Sequence, residues 1–154
     1  MRFCLWMAVF AVLSGCSVPT ERPAAKKAAA PVARPSDETR RFPPQDRVKV
    51  EIVDNHLLGK HFLPGGNLAE YTRGGKSYQL FLIEAESPLA AALLMNEHQK
   101  SLSNSKFIPH MGGYFGMDGE QPVYIFAKAN WLAGLVGLPQ EEADVIAREF
   151  AARL

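Results

Sequence analysis

Apolar and polar residues alternate along residues 48–53, so Val48, Val50 and Ile52 share one side of an extended chain. This period of two predicts a half-buried first strand. Further on, the turn at residues 73–76 contains two glycines and predicts a hairpin between the strands that flank it. The other predicted strands are residues 67–71, 77–85, 113–117, 123–128 and 131–136, with a short extended piece at 106–110.

Two segments have the pattern of a helix. Ser87 is a suitable N-cap, and Pro88 suits the first helical position before residues 89–102. The apolar residues expected to face the core from this helix are Leu89, Leu93, Leu94 and Met95. The second helix begins at Pro139 and has one continuous apolar face. That face consists of Ala143, Ile146, Ala147, Phe150, Ala151 and Leu154.

Strands joined by short turns, with two separated helices, are typical of an antiparallel sheet covered by helices. We therefore predict an α+β domain over residues 47–154. Its expected architecture is a two-layer sandwich, a mostly antiparallel sheet with both helices on one face.

The amino terminus has the pattern of a lipoprotein signal. After Arg2, residues 3–13 are apolar and uncharged, but a membrane-spanning helix needs about 20 such residues. The run ends in Leu13-Ser14-Gly15-Cys16, which resembles the lipobox of bacterial lipoproteins. We predict cleavage of residues 1–15 and lipid on Cys16. The alternative is an ordinary secretory signal with a chance cysteine.

Lipidation predicts where the protein lies in the cell. One acyl chain binds a membrane only reversibly, whereas two or three on Cys16 would hold it essentially permanently. The expected partner is thus a membrane of the cell envelope. If the cell has two membranes, Ser17 rather than aspartate after the cysteine favours the outer membrane, with the domain facing the periplasm.

Residues 16–46 have the composition of a tether. They are rich in proline and alanine, and their only large apolar residues are Val18, Val32 and Phe42. We expect a disordered spacer, since burying these few side chains cannot offset the entropy of ordering it. Its dispersed basic residues fit either a solvated linker, which we favour, or contact with anionic lipid headgroups.

Charge and cysteine content exclude some classes of function. The chain has 17 basic and 16 acidic residues, a balance that argues against a nucleic-acid partner. Its two cysteines, Cys4 and Cys16, both precede the domain, which excludes a disulfide or a catalytic thiol within it.

No motif predicts catalysis, a cofactor or a metal. The histidines, His56, His61, His98 and His110, do not have the spacing of a zinc site, and we expect them to face solvent or pack in loops. The glycine pairs suit turns rather than phosphate loops, and no GxSxG nucleophile motif occurs. We therefore expect a protein that is not an enzyme.

An aromatic strand face is the one candidate for binding. Tyr124, Phe126 and Lys128 alternate with Val123 and Ile125, so they share one side of a strand. If exposed, this face would stack on a flat ligand, a sugar or a partner's surface. The alternative is that the linker or a loop covers it.

Three short motifs resemble a family of bacterial exported proteins classed only as a domain of unknown function. They are FLPGGNLAEY at residues 62–71, SPLAA at 87–91 and GGYFG at 112–116, and the resemblance covers about residues 57–154. It implies an envelope-associated α+β domain and assigns no functional residue.

The expected function is therefore a lipid-anchored envelope protein with a non-catalytic binding or structural-support role, and an envelope protein is the second candidate partner beside the membrane. The alternative is a small-ligand-binding lipoprotein that uses the aromatic face. An envelope enzyme is the least favoured hypothesis.

Overall fold

A computed structural model describes residues 34–154 of the chain. The predicted signal peptide, the lipid site at Cys16 and most of the predicted tether lie outside the described residues. Within residues 34–154, no helix is long and apolar enough to cross a membrane.

Seven strands and two α-helices form the described domain. The strands are β1 (Arg47–Asn55), β2 (Pro64–Arg73), β3 (Lys76–Glu84), β4 (Ser103–Ile108), β5 (Gly113–Asp118), β6 (Gln121–Lys128) and β7 (Trp131–Val136). The helices are α1 (Pro88–Ser101) and α2 (Gln140–Ala151), and two short 3₁₀ helices occupy Thr39–Arg41 and Leu57–Gly59.

All seven strands belong to one antiparallel sheet in the order β1-β2-β3-β7-β6-β5-β4. Helix α1 carries the chain from β3, near the middle, to β4 at the far edge, and β5, β6 and β7 then return strand by strand to pair with β3. The predicted α+β class, the antiparallel sheet and the two helices are confirmed.

The two helices lie on opposite faces of the sheet, so the prediction that both cover one face is wrong. Neighbouring residues of a strand point to opposite sides, and here both sides are buried. The α2 face of the sheet includes Leu80, Tyr124, Phe126 and Leu135. The α1 face includes Phe81, Ile83, Ile125 and Leu132. The sheet is therefore the middle of three layers.

Local sequence signals determine where elements begin and turn. The Ser87 hydroxyl accepts a hydrogen bond from the Ala90 backbone N–H at 3.1 Å, which caps α1, and Pro88 follows at its first position. The turn between β2 and β3 places Gly74 and Gly75 at φ of 57° and 79°. Glycine adopts these values without the steric cost that a side chain would bring.

Residues 34–46 belong to the folded domain, so the prediction that the disordered tether extends to residue 46 is wrong for this part. The Asn67 amide fixes the segment: its oxygen accepts from the Glu38 N–H at 3.0 Å, and its nitrogen donates to the Ser36 carbonyl at 2.8 Å. Farther along, Tyr71 donates its hydroxyl to the Pro43 carbonyl at 2.8 Å. These bonds attach the segment to β2.

Helix α1 buries a different stripe from the one predicted. Leu89 and Leu93 are 69% and 60% exposed, whereas Ala91 and His98 are fully buried. Leu94 and Met95, which were predicted to face the core, are partly buried against the α1 face. The helix is thus rotated relative to the prediction, and it brings a histidine into the core.

Candidate functional site

The predicted aromatic binding face is buried. Tyr124 and Phe126 are 0% and 1% exposed because α2 packs over them, and the Phe126 ring meets Phe150 of α2 edge to face at 6.3 Å. Lys128 is exposed at the end of β6 and donates to the Ala151 carbonyl at 2.5 Å. The structure corrects the prediction of an open aromatic surface at these residues.

A polar cluster around Asp144 joins α2 to the sheet. Tyr124 of β6 donates its hydroxyl to Asp144 Oδ1 at 2.8 Å, and His110 Nε2 lies 2.6 Å from the same oxygen. Arg148, one helical turn away, places Nη2 3.0 Å from Asp144 Oδ2. Both carboxylate oxygens are therefore occupied: Oδ1 connects α2 to Tyr124 and His110, and Oδ2 pairs with Arg148 within the helix.

The electrostatics of the cluster stabilise the ionised carboxylate. Burial opposes ionisation of Asp144, but the hydrogen bonds from Tyr124 and His110 and the charges of His110 and Arg148 outweigh it and hold the pKa of Asp144 below its usual value. Burial, together with the bond to Asp144, raises the pKa of Tyr124. At neutral pH a phenol therefore donates to a carboxylate, which is a strong, charge-assisted hydrogen bond.

Replacing Tyr124 by phenylalanine is expected to lower the free energy of unfolding by about 1–3 kcal/mol, since it deletes a partly buried hydrogen bond to a charged group. Because the folded state lowers the pKa of Asp144, its contribution is present above the unfolded pKa and is lost as pH falls through the folded value. Urea unfolding at neutral pH and at pH about 3 measures both effects.

Tyr114→Phe is the matched control. Tyr114 is only half-buried, and its hydroxyl makes no hydrogen bond to another described residue, so the change should cost less than about 0.5 kcal/mol. Equal losses in the two variants would show that the Tyr124 hydroxyl contributes no special bond.

His98 of α1 is the second unusual polar residue. It is 0% exposed, and neither ring nitrogen has a hydrogen-bond partner among residues 34–154. Its ring lies 5.9 Å from the Phe62 ring and 5.8 Å from the Phe81 ring. Burial, followed by the charge of Lys60, lowers the pKa of His98 to about 4, so the side chain is neutral at pH 7.

The other three histidines are exposed and do not form a site with His98. His56 and His61 are exposed in the loop between β1 and β2, as predicted, and His110 is exposed beside Asp144. His98, predicted to face solvent or a loop, is instead in the core. In the described part of the chain, no three histidine, cysteine or acidic residues are grouped to hold a metal ion.

A groove of about 420 Å³ lies between the β2–β3 hairpin and α2. Tyr78, Leu138, Val145 and Ile146 provide its apolar lining. At its rim, Lys76 Nζ and Glu142 Oε1 lie 2.7 Å apart. Its volume lies within the range of small-molecule pockets.

Comparison with protein-family models, with curated proteins and with solved structures finds no significant match to this chain. The resemblance to exported proteins of unknown function therefore stays a prediction.

The sequence contains a pattern that indicates burial of His98, but no pattern that predicts the Asp144 cluster. Ala91, Leu94, Met95 and His98 have the i, i+3, i+4, i+7 spacing of a buried helical stripe, although the polar histidine disguises it. His110 and Asp144 lie 34 residues apart, on a turn and a helix that only the fold brings together.

Proposed function

We propose that this chain is a lipid-anchored cell-envelope protein with a non-catalytic binding or structural-support role. One observation carries the proposal: a short, uncharged apolar run ends in Leu13-Ser14-Gly15-Cys16. The small residues before the cysteine leave room for a processing peptidase around an extended backbone. Lipid on Cys16 then provides the attachment.

The arrangement of the acid and base groups supports a non-catalytic role. Two buried polar groups with shifted pKa values, Tyr124 and His98, lie within the packed layers rather than in an open cleft. Asp144 has both oxygens engaged, Oδ1 by Tyr124 of the sheet and Oδ2 by Arg148 of the same helix. A nucleophile beside a free base is the arrangement expected of acyl-transfer catalysis, and these contacts differ from it.

The proposed partners are a membrane, through the lipid, and an envelope protein bound by the domain. In a cell with two membranes, Ser17 favours the outer membrane and a domain facing the periplasm. The alternative, a small-ligand-binding lipoprotein, is supported by the groove beside Tyr78 and Val145 instead of by the aromatic face.

Incorporation of labelled palmitate tests the proposal in bacteria that express the full chain. The wild type should carry label, and Cys16→Ser should carry none, because the thiol of Cys16 is the predicted acceptor. Cys4→Ser is the matched control, since it also removes one cysteine from the same segment, and it should keep the label. Label that persists in Cys16→Ser would contradict the proposal.

A further inference from the structure

Three arginines line a cleft of about 540 Å³ where the described chain begins. Arg40 and Arg47 come from the amino-terminal segment and the start of β1, and Arg153 follows the end of α2. Phe42 and Pro44 contribute apolar walls. The fold thus gathers at one place basic residues that are far apart in the sequence.

The charges of the cleft do not cancel. Asp37 is the one acidic residue among those that line it, against three arginines. Its carboxylate is already engaged, since Oδ1 accepts from the Thr39 hydroxyl at 2.6 Å and from the Thr39 N–H at 3.0 Å. An anion entering the cleft would therefore meet a net positive lining.

Arg47 is held in place by carbonyl groups rather than by an acid. Its Nη1 donates to the Thr39 and Phe42 carbonyl oxygens at 3.0 and 3.3 Å, and no ion pair of the described residues includes it. The guanidinium is thus oriented, and its charge is left without an acidic partner in residues 34–154. The planar fork of donors on a guanidinium matches the oxygens of a phosphate group.

The other two arginines of the cleft, Arg40 and Arg153, form only long ion pairs. Arg40 Nε lies 3.6 Å from Glu38 Oε2, which Arg41 already binds at 2.8 Å, and Arg153 Nη2 lies 3.5 Å from Glu149 Oε1. Both side chains reach solvent. They are therefore free to turn toward a ligand at the mouth of the cleft.

The cleft lies beside the point where the predicted tether enters the domain. Even fully extended, the chain from Cys16 to Arg34 spans at most about 65 Å. A lipid on Cys16 would hence confine the cleft to the neighbourhood of one membrane surface. Near an anionic bilayer, each basic side chain at the surface adds appreciable attraction.

We propose that the cleft of Arg40, Arg47 and Arg153 binds the phosphate of an anionic phospholipid in the membrane that carries the anchor. This inference rests on the proposed lipid anchoring and adds a second, headgroup-specific contact to it. The bound headgroup holds the domain against the bilayer with the amino-terminal segment and the end of α2 facing the lipid.

Energy transfer from Trp131 to a dansyl-labelled lipid tests the proposal. Trp131 lies close to this end of the molecule, with the Arg41 guanidinium 4.5 Å from its ring centroid. The full chain is purified from membranes and reconstituted in vesicles of phosphatidylcholine, alone or with about 30 mol% phosphatidylglycerol. Transfer should rise with phosphatidylglycerol and fall back in about 0.5 M NaCl, which screens the attraction.

Two double variants with equal loss of charge separate the cleft from general surface charge. Arg40→Gln with Arg153→Gln should lower the docking constant about tenfold, because it removes two of the three positive charges of the cleft. Arg47 is kept, so its structural bonds stay intact. Lys100→Gln with Lys106→Gln removes two exposed cations outside the cleft and should leave transfer unchanged. Equal losses in both pairs, or no dependence on phosphatidylglycerol, would overturn the proposal.

Inorganic phosphate separates the two sources of the same chemistry. Transfer that rises with phosphatidylglycerol and that phosphate displaces only in large excess over the lipid, at constant ionic strength, supports the headgroup as ligand. Displacement by phosphate that is not in excess over the lipid assigns the cleft to a free anion and overturns the lipid source. Flotation with neutral vesicles reports the anchor separately. If the chain floats with neutral vesicles but shows no phosphatidylglycerol-dependent transfer, headgroup binding by the cleft is refuted and the lipid anchor is retained. If the chain does not float, the lipid anchor is refuted.

Discussion

Replacing Phe42 by alanine is expected to lower the free energy of unfolding by about 3–5 kcal/mol, although Phe42 lies in a stretch with the composition of a linker. Its ring is 1% exposed and stacks on Phe150 of α2, with centroids 5.1 Å apart. Deleting the ring removes buried apolar surface and leaves a cavity between the amino-terminal segment and α2. Urea denaturation of the full chain measures the change.

Phe107→Ala is the matched control for this prediction. The Phe107 side chain is 51% exposed on the edge strand β4, so the same chemical change should cost less than about 1 kcal/mol. A small effect of Phe42→Ala, similar to the control, would show that residues 34–46 add little to the fold.

Acidification from pH 6.5 to 4 is expected to cost the domain about 3 kcal/mol through His98 alone. The pKa of His98 falls to about 4 in the folded state because burial disfavours its charged form, with Lys60 adding repulsion and Asp118 opposing it. The unfolded chain therefore binds more protons in this pH window. Stability is full above the unfolded pKa and declines as pH drops toward the folded value.

The variant His98→Leu should remove this part of the pH dependence. It replaces two unpartnered ring nitrogens by an apolar side chain between Phe62 and Phe81, so the variant should lose less stability than the wild type between pH 6.5 and 4. His61→Gln, in an exposed loop, is the control and should behave like the wild type. Parallel pH curves for His98→Leu and the wild type would refute the assignment.

The sequence predicts most elements because local signals agree with the fold. The first strand, the Gly74-Gly75 turn and the cap at Ser87 act through nearby residues, and each stands where expected. The predicted half-buried face of β1 holds for Val50 and Ile52 but is wrong for Val48, which is 64% exposed where the pairing with β2 shifts register between Arg47 and Lys49. The α2 stripe is likewise confirmed, since Ala143, Ile146, Ala147 and Phe150 are all buried.

The three-layer arrangement is indicated by a sequence signal other than alternation, namely central strands that are apolar on both sides. In β6 and β7, residues 123–127 and 131–136 are apolar on both sides of the strand, which is typical of a strand covered on both faces. Tyr124 and Phe126 belong to the second of these buried sides, so their alternation with Val123 and Ile125 does not indicate an exposed face. A sheet with such central strands requires a helix on each side, and the structure has them.

Amino-acid composition alone does not predict that residues 34–46 are folded. One aromatic residue among prolines does not predict burial, because Phe42 becomes buried only where Phe150, more than a hundred residues later, completes its site. The arginine cleft has the same origin: Arg153 reaches Arg40 and Arg47 only through the packing of α2. Contacts of this range depend on the tertiary fold rather than on a local pattern.

The most direct test of the central claim is the intact mass and amino-terminal peptide of the protein extracted from membranes. We predict a mature chain that begins at Cys16 and carries the mass of a diacylglyceryl group, alone or with a further acyl chain, and a Cys16→Ser chain that lacks that mass. A wild-type mature chain that begins elsewhere, or that begins at Cys16 without lipid, would contradict the account and leave an exported protein with no anchor at this residue.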